Sequence, residues 1–183
     1  ETYQVSGKRE FADFANDLLQ YIDRDMTSTE GAFFSAEDAD SEGVEGKFYV
    51  WTQEEVEQIL GRKTASIAIP YYNITPKGNF EGKNILNITR EPKFVAKEAG
   101  MQEADAMKEL GIARDKLLEV RSKRIRPLLD DKILTSWNAL MISAMAKAGR
   151  VLDDADRIQK AVRAMKFILS HLQTPEGKIL RRY

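Results

Sequence analysis

The sequence predicts a mainly α fold of antiparallel helical hairpins joined by short β-hairpins, and three observations predict it. Apolar residues recur at helical spacing over most of the 183 residues. Glycine, proline and capping residues cut those stretches at intervals of one helix. Finally, one shift of 146 positions lays Ala15, Leu19, Ile22 and Met26 over Ala161, Met165, Ile168 and Leu172. The same shift lays Glu30-Gly31 over Glu176-Gly177 and Phe33-Phe34 over Ile179-Leu180. Each copy reads as a long helix, a polar link, a Glu-Gly turn and an apolar strand. Repetition of such a unit makes a solenoid or a closed toroid.

Each element follows from its own residues. Phe11, Phe14, Ala15, Leu18, Ile22 and Met26 share one face of a helix over about 8–26. A short β-hairpin is expected to pair 33–36 with 48–51. Thr52 is an N-cap with Glu55 at the capping-box position, for a helix through Leu60 that Gly61 stops. Residues 64–72 form a second short helix, and "ITPKGNFEGKNIL" is irregular. A helix over 103–126 is weakened near Gly111 and stopped by Pro127. Helix 136–148, capped by Thr135 or Ser136, is apolar nearly all round and is expected to be buried so. Asp153 or Asp154 caps a last helix to about 172, with Ile158, Ala161, Val162, Met165, Ile168, Leu169 and Leu172 on its core face. Gly7 and Gly149 each start a linker before a repeated helix. Residues 1–5 read as the tail of a helix and Arg181-Arg182-Tyr183 as half a hairpin, so the chain is expected to be a fragment of a single domain.

Composition excludes several classes of function. A net charge of −1 gives no reason to expect nucleic acid or an anionic membrane as partner. No run of about 18 apolar residues is present to span a bilayer. The absence of cysteine removes disulfides, thiolate metal sites and thiol redox chemistry from this chain. It fits a reducing, cytoplasmic setting. A lone His171 in the last turn of its helix, where the dipole favours a cation, cannot assemble a His-based metal site or a Ser-His-Asp triad.

Three stretches carry candidate chemistry. "FFSAEDADSEGVEGKFYVW" holds Glu37, Asp38, Asp40, Glu42 and Glu45 between two aromatic runs. It is a solvated hairpin tip, the rim of a ligand pocket or a cation site. Asp38-Ala39-Asp40-Ser41-Glu42-Gly43 imitates the start of a calcium loop, but Tyr49 stands where the bidentate Glu belongs and no helix follows. Only a looser Ca²⁺ site at Asp38 and Asp40 stays open. Alternation places those two aspartates on one side, with Glu37 at the edge and Glu42 and Glu45 in solvent. In "DDKILTSWNAL", Asp131 and Lys132 precede a helix whose first turn holds Trp137 and Asn138. An indole and an amide there suit a sugar, although Trp137 in the core and Asn138 bonded to backbone is the plainer reading. In "GNFEGKN", Asn79, Glu81, Lys83 and Asn84 lie on a glycine-rich loop that lacks the setting of a phosphate loop. The cations of "RSKRIR", residues 121–126, read as a solvated helix end.

"FFSAEDADSEGVEGKFYVWT", "GNFEGKNIL" and "RIRPLLDDKILTSWNALMISAMAKAG", in that order, closely resemble the thioredoxin-domain-containing family that includes spermatogenesis-associated protein 20 and bacterial YyaL. Ala32 and Ala139 stand where that pattern has glycine. The resemblance implies a partial (α/α) toroid, similar to N-acylglucosamine 2-epimerases and six-hairpin glycosidases, that follows a thioredoxin-like domain lying outside this chain. It also implies two functional classes. The first is carbohydrate-active: Asp38, Asp40 and Asp131 do acid–base work on a sugar held by Glu37, Asn79, Lys132, Trp137 and Asn138, with no cofactor or metal. The second is a non-catalytic scaffold that serves the thioredoxin-like domain. Apolar faces at the ends of such an arc are expected to drive self-association.

Overall fold

The computed structural model describes residues 1–183. In chain order its elements are α1 (Thr2–Ser6), α2 (Arg9–Asp25), β1 (Ala36–Glu37), β2 (Asp40–Ser41), β3 (Val44–Glu45), α3 (Gln53–Tyr71), α4 (Pro92–Glu98), α5 (Glu103–Ser122), β4 (Leu129–Asp130), α6 (Thr135–Val151) and α7 (Ala155–His171). The protein is therefore mainly helical, with two small antiparallel strand pairs. It divides into two compact units: Glu1–Glu37 with Leu129–Tyr183, and Asp38–Leu128. These are called unit 1 and unit 2, and each is described by itself.

Unit 1 contains the repeat, and the repeat holds bond by bond. Arg9–Asp25 and Ala155–His171 begin and end at equivalent positions. Past each helix the next amide closes the last turn, Met26 on Ile22 at 3.0 Å and Leu172 on Ile168 at 2.9 Å. Thr27 then bridges to Phe33, and Gln173 to Ile179. Gly31 and Gly177 turn the chain at φ 95° and 82°, in the left-handed region that favours glycine. Phe34 N–H returns to the Met26 carbonyl at 2.9 Å, and Leu180 N–H to that of Leu172 at 2.8 Å.

The linker also repeats, but not where the glycines suggest. Gly7 (φ 68°) is matched by Asp153 (φ 55°), whereas Gly149 lies inside α6. A Cβ on Gly149 would stand 2.6 Å from Ile158 Cγ1 and 2.8 Å from the Asp154 carbonyl. That glycine lets α6 and α7 approach; aspartate tolerates the left-handed turn.

The core of unit 1 joins Leu19 of α2, Phe33, Ile133, Ile142 and Met145 of α6, and Ala161, Ala164, Phe167, Ile168 and Leu172 of or after α7. Two expectations are corrected here. On α6 only Asn138, Ile142, Met145 and Gly149 are buried, so its Trp137 and Leu140 face is open rather than enclosed. On α7 the buried stripe runs through Ala164 and Phe167, leaving Ile158, Val162, Met165 and Leu169 exposed. Both helices are apolar on two sides, and periodicity does not say which side meets the core. α6 also lacks the expected side-chain cap: Leu134 is its N-cap residue, and Thr135 Oγ1 donates instead to the Leu180 carbonyl at 2.6 Å.

Unit 2 keeps the capping box as read: Glu55 N–H donates to Thr52 Oγ1 at 3.1 Å and Thr52 N–H to Glu55 Oε2 at 3.4 Å. Gly61 (φ 73°, ψ 164°) interrupts α3 where a stop is expected. The short α4 has no counterpart in the sequence reading. α5 ends at Ser122, not near 126, because Arg124 turns back onto Trp51, with its guanidinium carbon 3.8 Å from the ring centroid. The expected pairing of 33–36 with 48–51 does not form. Ala36 and Glu37 pair with Asp130 and Leu129 instead, Trp51 bridges to Asn84, and Asp40-Ser41 pairs with Glu45-Val44. The acidic stretch closes on itself because Glu42 (φ 54°) and Gly43 (φ 73°) form a two-residue turn of the primed kind.

Candidate functional site

Unit 1 contains a cleft of about 330 Å³ where three sequence-predicted residues, Glu37, Trp137 and Asn138, come together. α2 contributes Tyr21 and Ile22, the strand after its turn contributes Phe33 to Glu37, and the first turns of α6 contribute Trp137, Asn138 and Met141. Asn138 assembles it. Its side-chain oxygen accepts from Phe33 N–H at 2.8 Å, and its amide nitrogen donates to the carbonyls of Phe33 (2.9 Å) and Leu134 (3.1 Å). The strand is thereby fixed to α6 at a point 1% exposed. Asn138 is a positioning residue, its amide committed to backbone rather than to a ligand.

Glu37 is held from two sides. Its backbone pairs with Leu129, and two residues earlier Ser35 Oγ donates to the Asp130 carbonyl at 3.0 Å. Its carboxylate accepts from the Tyr21 hydroxyl at 3.0 Å. Trp137 is 54% exposed. The cleft thus offers an open indole face beside a carboxylate and a phenol. Tyr21 was not identified from sequence: it sits on α2 among helix-face residues, and no local pattern connects it to Glu37.

The remaining predicted residues lie elsewhere. Asp131 and Lys132 are exposed in the link between β4 and α6 and do not line the cleft. The Lys132 ammonium sits 2.6 Å from Asp130, not Asp131, and its hydrogen bond holds the Asp130 carboxyl below the ordinary value. Asp38 and Asp40 belong to unit 2. Asp38 accepts from the Asp40 N–H at 3.2 Å, and Asp40 stands opposite Glu45 in the hairpin. Glu42 is exposed, as expected, and ion-paired with Lys47 at 2.8 Å. Asn79 is exposed but spent on its own loop, exchanging two hydrogen bonds with Ile85 at 2.8 and 3.0 Å. Asn84 is buried, bonded to Thr75 and Trp51. No three His, Cys, Asp or Glu side chains come together to hold a metal ion.

Two further concavities were not read from sequence. In unit 1 a mostly apolar groove of about 570 Å³ runs along α2 and α6, past Phe11, Phe14, Leu18, Met141 and Val151. In unit 2 a polar pocket of about 340 Å³ gathers Lys47, Lys83, Lys123 and Arg124 with Glu42 and Glu55. Arg124 there is structural, donating to the Phe48 and Val50 carbonyls at 3.0 and 2.9 Å and to Glu55 at 2.6 Å. Arg121 and Arg126 lie over the Phe48 ring. The basic run is therefore partly packed on aromatics, not simply solvated.

No helix is long and apolar enough to cross a membrane. No family model matches the chain. It is 31% identical to human spermatogenesis-associated protein 20 over 207 aligned positions, covering 99% of this chain and 26% of that protein. The rat protein of the same name is likewise 31% identical, over the whole of this chain. An uncharacterized protein of Caenorhabditis elegans is 30% identical over 84% of the chain and 24% of its own length. The chain spans about a quarter of the length of these relatives. The match runs through the three motifs and both repeats, and the chain belongs with the family of spermatogenesis-associated protein 20.

Proposed function

We propose that the unit 1 cleft binds a saccharide or similar polyol, with a ring face stacked on Trp137 and hydroxyls bonded to Glu37 and Tyr21. The supporting observation is the open Trp137 indole lining the same cleft as the Tyr21–Glu37 hydrogen bond. A sugar carries C–H faces that suit an aromatic ring, and hydroxyls that suit a carboxylate and a phenol. On this reading unit 1 is an arc of an (α/α) toroid, supported by its bond-by-bond repetition of helix, turn and strand. Asp38, Asp40 and Asp131 stay the acid–base candidates by residue type, because chemistry at an anomeric carbon needs one neutral and one ionised carboxyl. The binding reading does not depend on them.

The test is a titration of the protein with mono-saccharides, oligosaccharides and sugar phosphates, followed by tryptophan emission. Trp137 is the exposed fluorophore, since Trp51 is buried. A ligand should shift the emission of the parent and not that of Trp137→Phe. Glu37→Gln should weaken binding by about ten- to a hundred-fold, the worth of a hydrogen bond to a charged group. Absence of any response would reject sugar binding. It would favour the second reading, a non-catalytic scaffold serving a thioredoxin-like domain, for which the apolar groove on α2 and α6 is the supporting observation.

A further inference from the structure

The polar pocket of unit 2, about 340 Å³ in volume, holds more positive charge than its own acids balance. Its lining residues lie between 41 and 125, interior to the sequence, whereas both chain ends belong to unit 1. Hydrogen bonds fix its walls to one another. Ser41 Oγ donates to the Ile125 carbonyl at 2.6 Å, which ties the acidic hairpin to the basic run. Trp51 and Asn84 exchange backbone bonds at 3.0 and 2.7 Å, which places Lys83 beside the segment that carries Val50. Arg124 lies over Trp51 and is bonded to Phe48, Val50 and Glu55.

Four cations, Lys47, Lys83, Lys123 and Arg124, share the lining with two carboxylates, Glu42 and Glu55. Glu42 balances Lys47 at 2.8 Å, and Glu55 balances Arg124 at 2.6 Å. Lys123 has only Glu119, outside the pocket, in an exposed i,i+4 pair that water weakens. Lys83 is exposed and makes no ion pair. Two positive charges of the lining are therefore left over. Arg124 adds donors at fixed positions. Of its five N–H groups, two on Nη1 and one on Nη2 are bonded, so Nε–H and the second Nη2 hydrogen stay unbonded. Ile125, 63% exposed, supplies an apolar wall.

We infer that this pocket binds a phosphate monoester of a small molecule. The phosphoryl oxygens accept from Arg124 and are neutralised by Lys83 and Lys123, and the carbon part lies on Ile125. A dianion matches two unbalanced cations. A phosphate monoester carries a charge of about −1.5 to −2 at pH 7, whereas a sulfate ester or a carboxylate carries a single charge. Its three oxygens also take several charge-assisted hydrogen bonds at once. The volume falls in the range of small-molecule pockets, about 300–1,000 Å³. The inference rests on unit 2 alone and is independent of the sugar reading of unit 1.

The experiment is calorimetric titration of the protein at low salt with propyl phosphate, which has no sugar ring. Inorganic phosphate and propyl sulfate are titrated beside it. Propyl phosphate should bind one to one. Inorganic phosphate lacks the carbon chain, and propyl sulfate has the same shape with less charge, so each should bind several-fold more weakly. Lys83→Gln and Lys123→Gln should each weaken propyl phosphate about ten-fold. Lys116→Gln, on α5 outside the pocket, should leave its binding unchanged. All three lysines are exposed, so the melting temperature of each variant should match the parent. No binding of propyl phosphate, or equal binding by Lys83→Gln and Lys123→Gln, would overturn the inference. So would propyl sulfate binding as tightly, which would show that the second charge is not read. Equal weakening by Lys116→Gln would overturn it in favour of diffuse attraction to a basic surface. Inorganic phosphate binding as tightly as propyl phosphate would overturn the assignment to a monoester.

Discussion

At the scale of single residues, the polar groups that matter most for the fold are two buried asparagines. Asn138 in unit 1 and Asn84 in unit 2 each satisfy backbone donors and acceptors of a strand or loop far away in sequence. Asn138→Ala leaves the Phe33 amide and carbonyl without partners in a buried place. A cost of about 2–3 kcal/mol is expected, read as a fall of roughly 5–10 °C in melting temperature. Glu109 is the buried acid. It lies 2.6 Å from the Lys63 ammonium and accepts from Thr64 Oγ1 at 2.6 Å. Those hydrogen bonds, Lys63 first, hold its carboxyl below the ordinary value against the opposing effect of burial. A folded value below the unfolded one contributes stability above the unfolded value, about pH 4.3, and loses it as the pH falls through the folded value. Glu109→Gln should therefore be less stable than the parent at pH 7. The gap should close on acidification below about pH 4, as measured by denaturant unfolding at each pH.

At the scale of elements, two helical glycines have opposite meanings. Gly111 in α5 has open space where a Cβ would be, whereas Gly149 in α6 faces α7 with a backbone carbonyl and Ile158 inside contact distance. Gly111→Ala should stabilise by about 0.5–1 kcal/mol, because alanine loses less backbone freedom in a helix. Gly149→Ala gains the same propensity but forces the helices apart, and a net loss of about 1–3 kcal/mol is expected from overpacking. Equilibrium unfolding of the two variants decides the matter by sign alone. The Thr52 capping box offers a calibration of scale: Thr52→Ala should cost about 1 kcal/mol.

At the scale of the molecule, unit 2 is a continuous segment set between the two copies of a repeat. Both of its ends are tied together, Asp38 N–H donating to the Leu128 carbonyl at 2.8 Å. The flanking residues of unit 1, Glu37 and Leu129, are direct partners in the β1–β4 ladder. Replacing residues 38–128 by Asn-Gly would close that ladder as a two-residue hairpin. Unit 1 in this form should fold, with cooperative unfolding and the Tyr21–Glu37–Trp137 cleft retained. Loss of cooperative unfolding or of helical circular dichroism would show that unit 1 depends on the inserted segment.

The sequence by itself determined the local grammar of this protein. The helical spans of α2 and α7, though not which of their faces is buried, the Thr52–Glu55 box, the Gly61 interruption and the 146-position repeat all depend on residues within one element or on identity between two. Tertiary structure alone decided how those pieces meet. Strand pairing went from Ala36–Glu37 to Leu129–Asp130 because a two-residue turn at Glu42-Gly43 closed the acidic stretch on itself, and no alternation of side chains could reveal the partner. Trp137 was open and Asn138 buried because α6 is apolar on two sides and packs only one of them. The cleft followed from that choice. Trp137 and Asn138 could be picked out as residue types beside a helix start, and Glu37 as one acid among five, but Tyr21 joined them through packing of α2 that leaves no trace in sequence order.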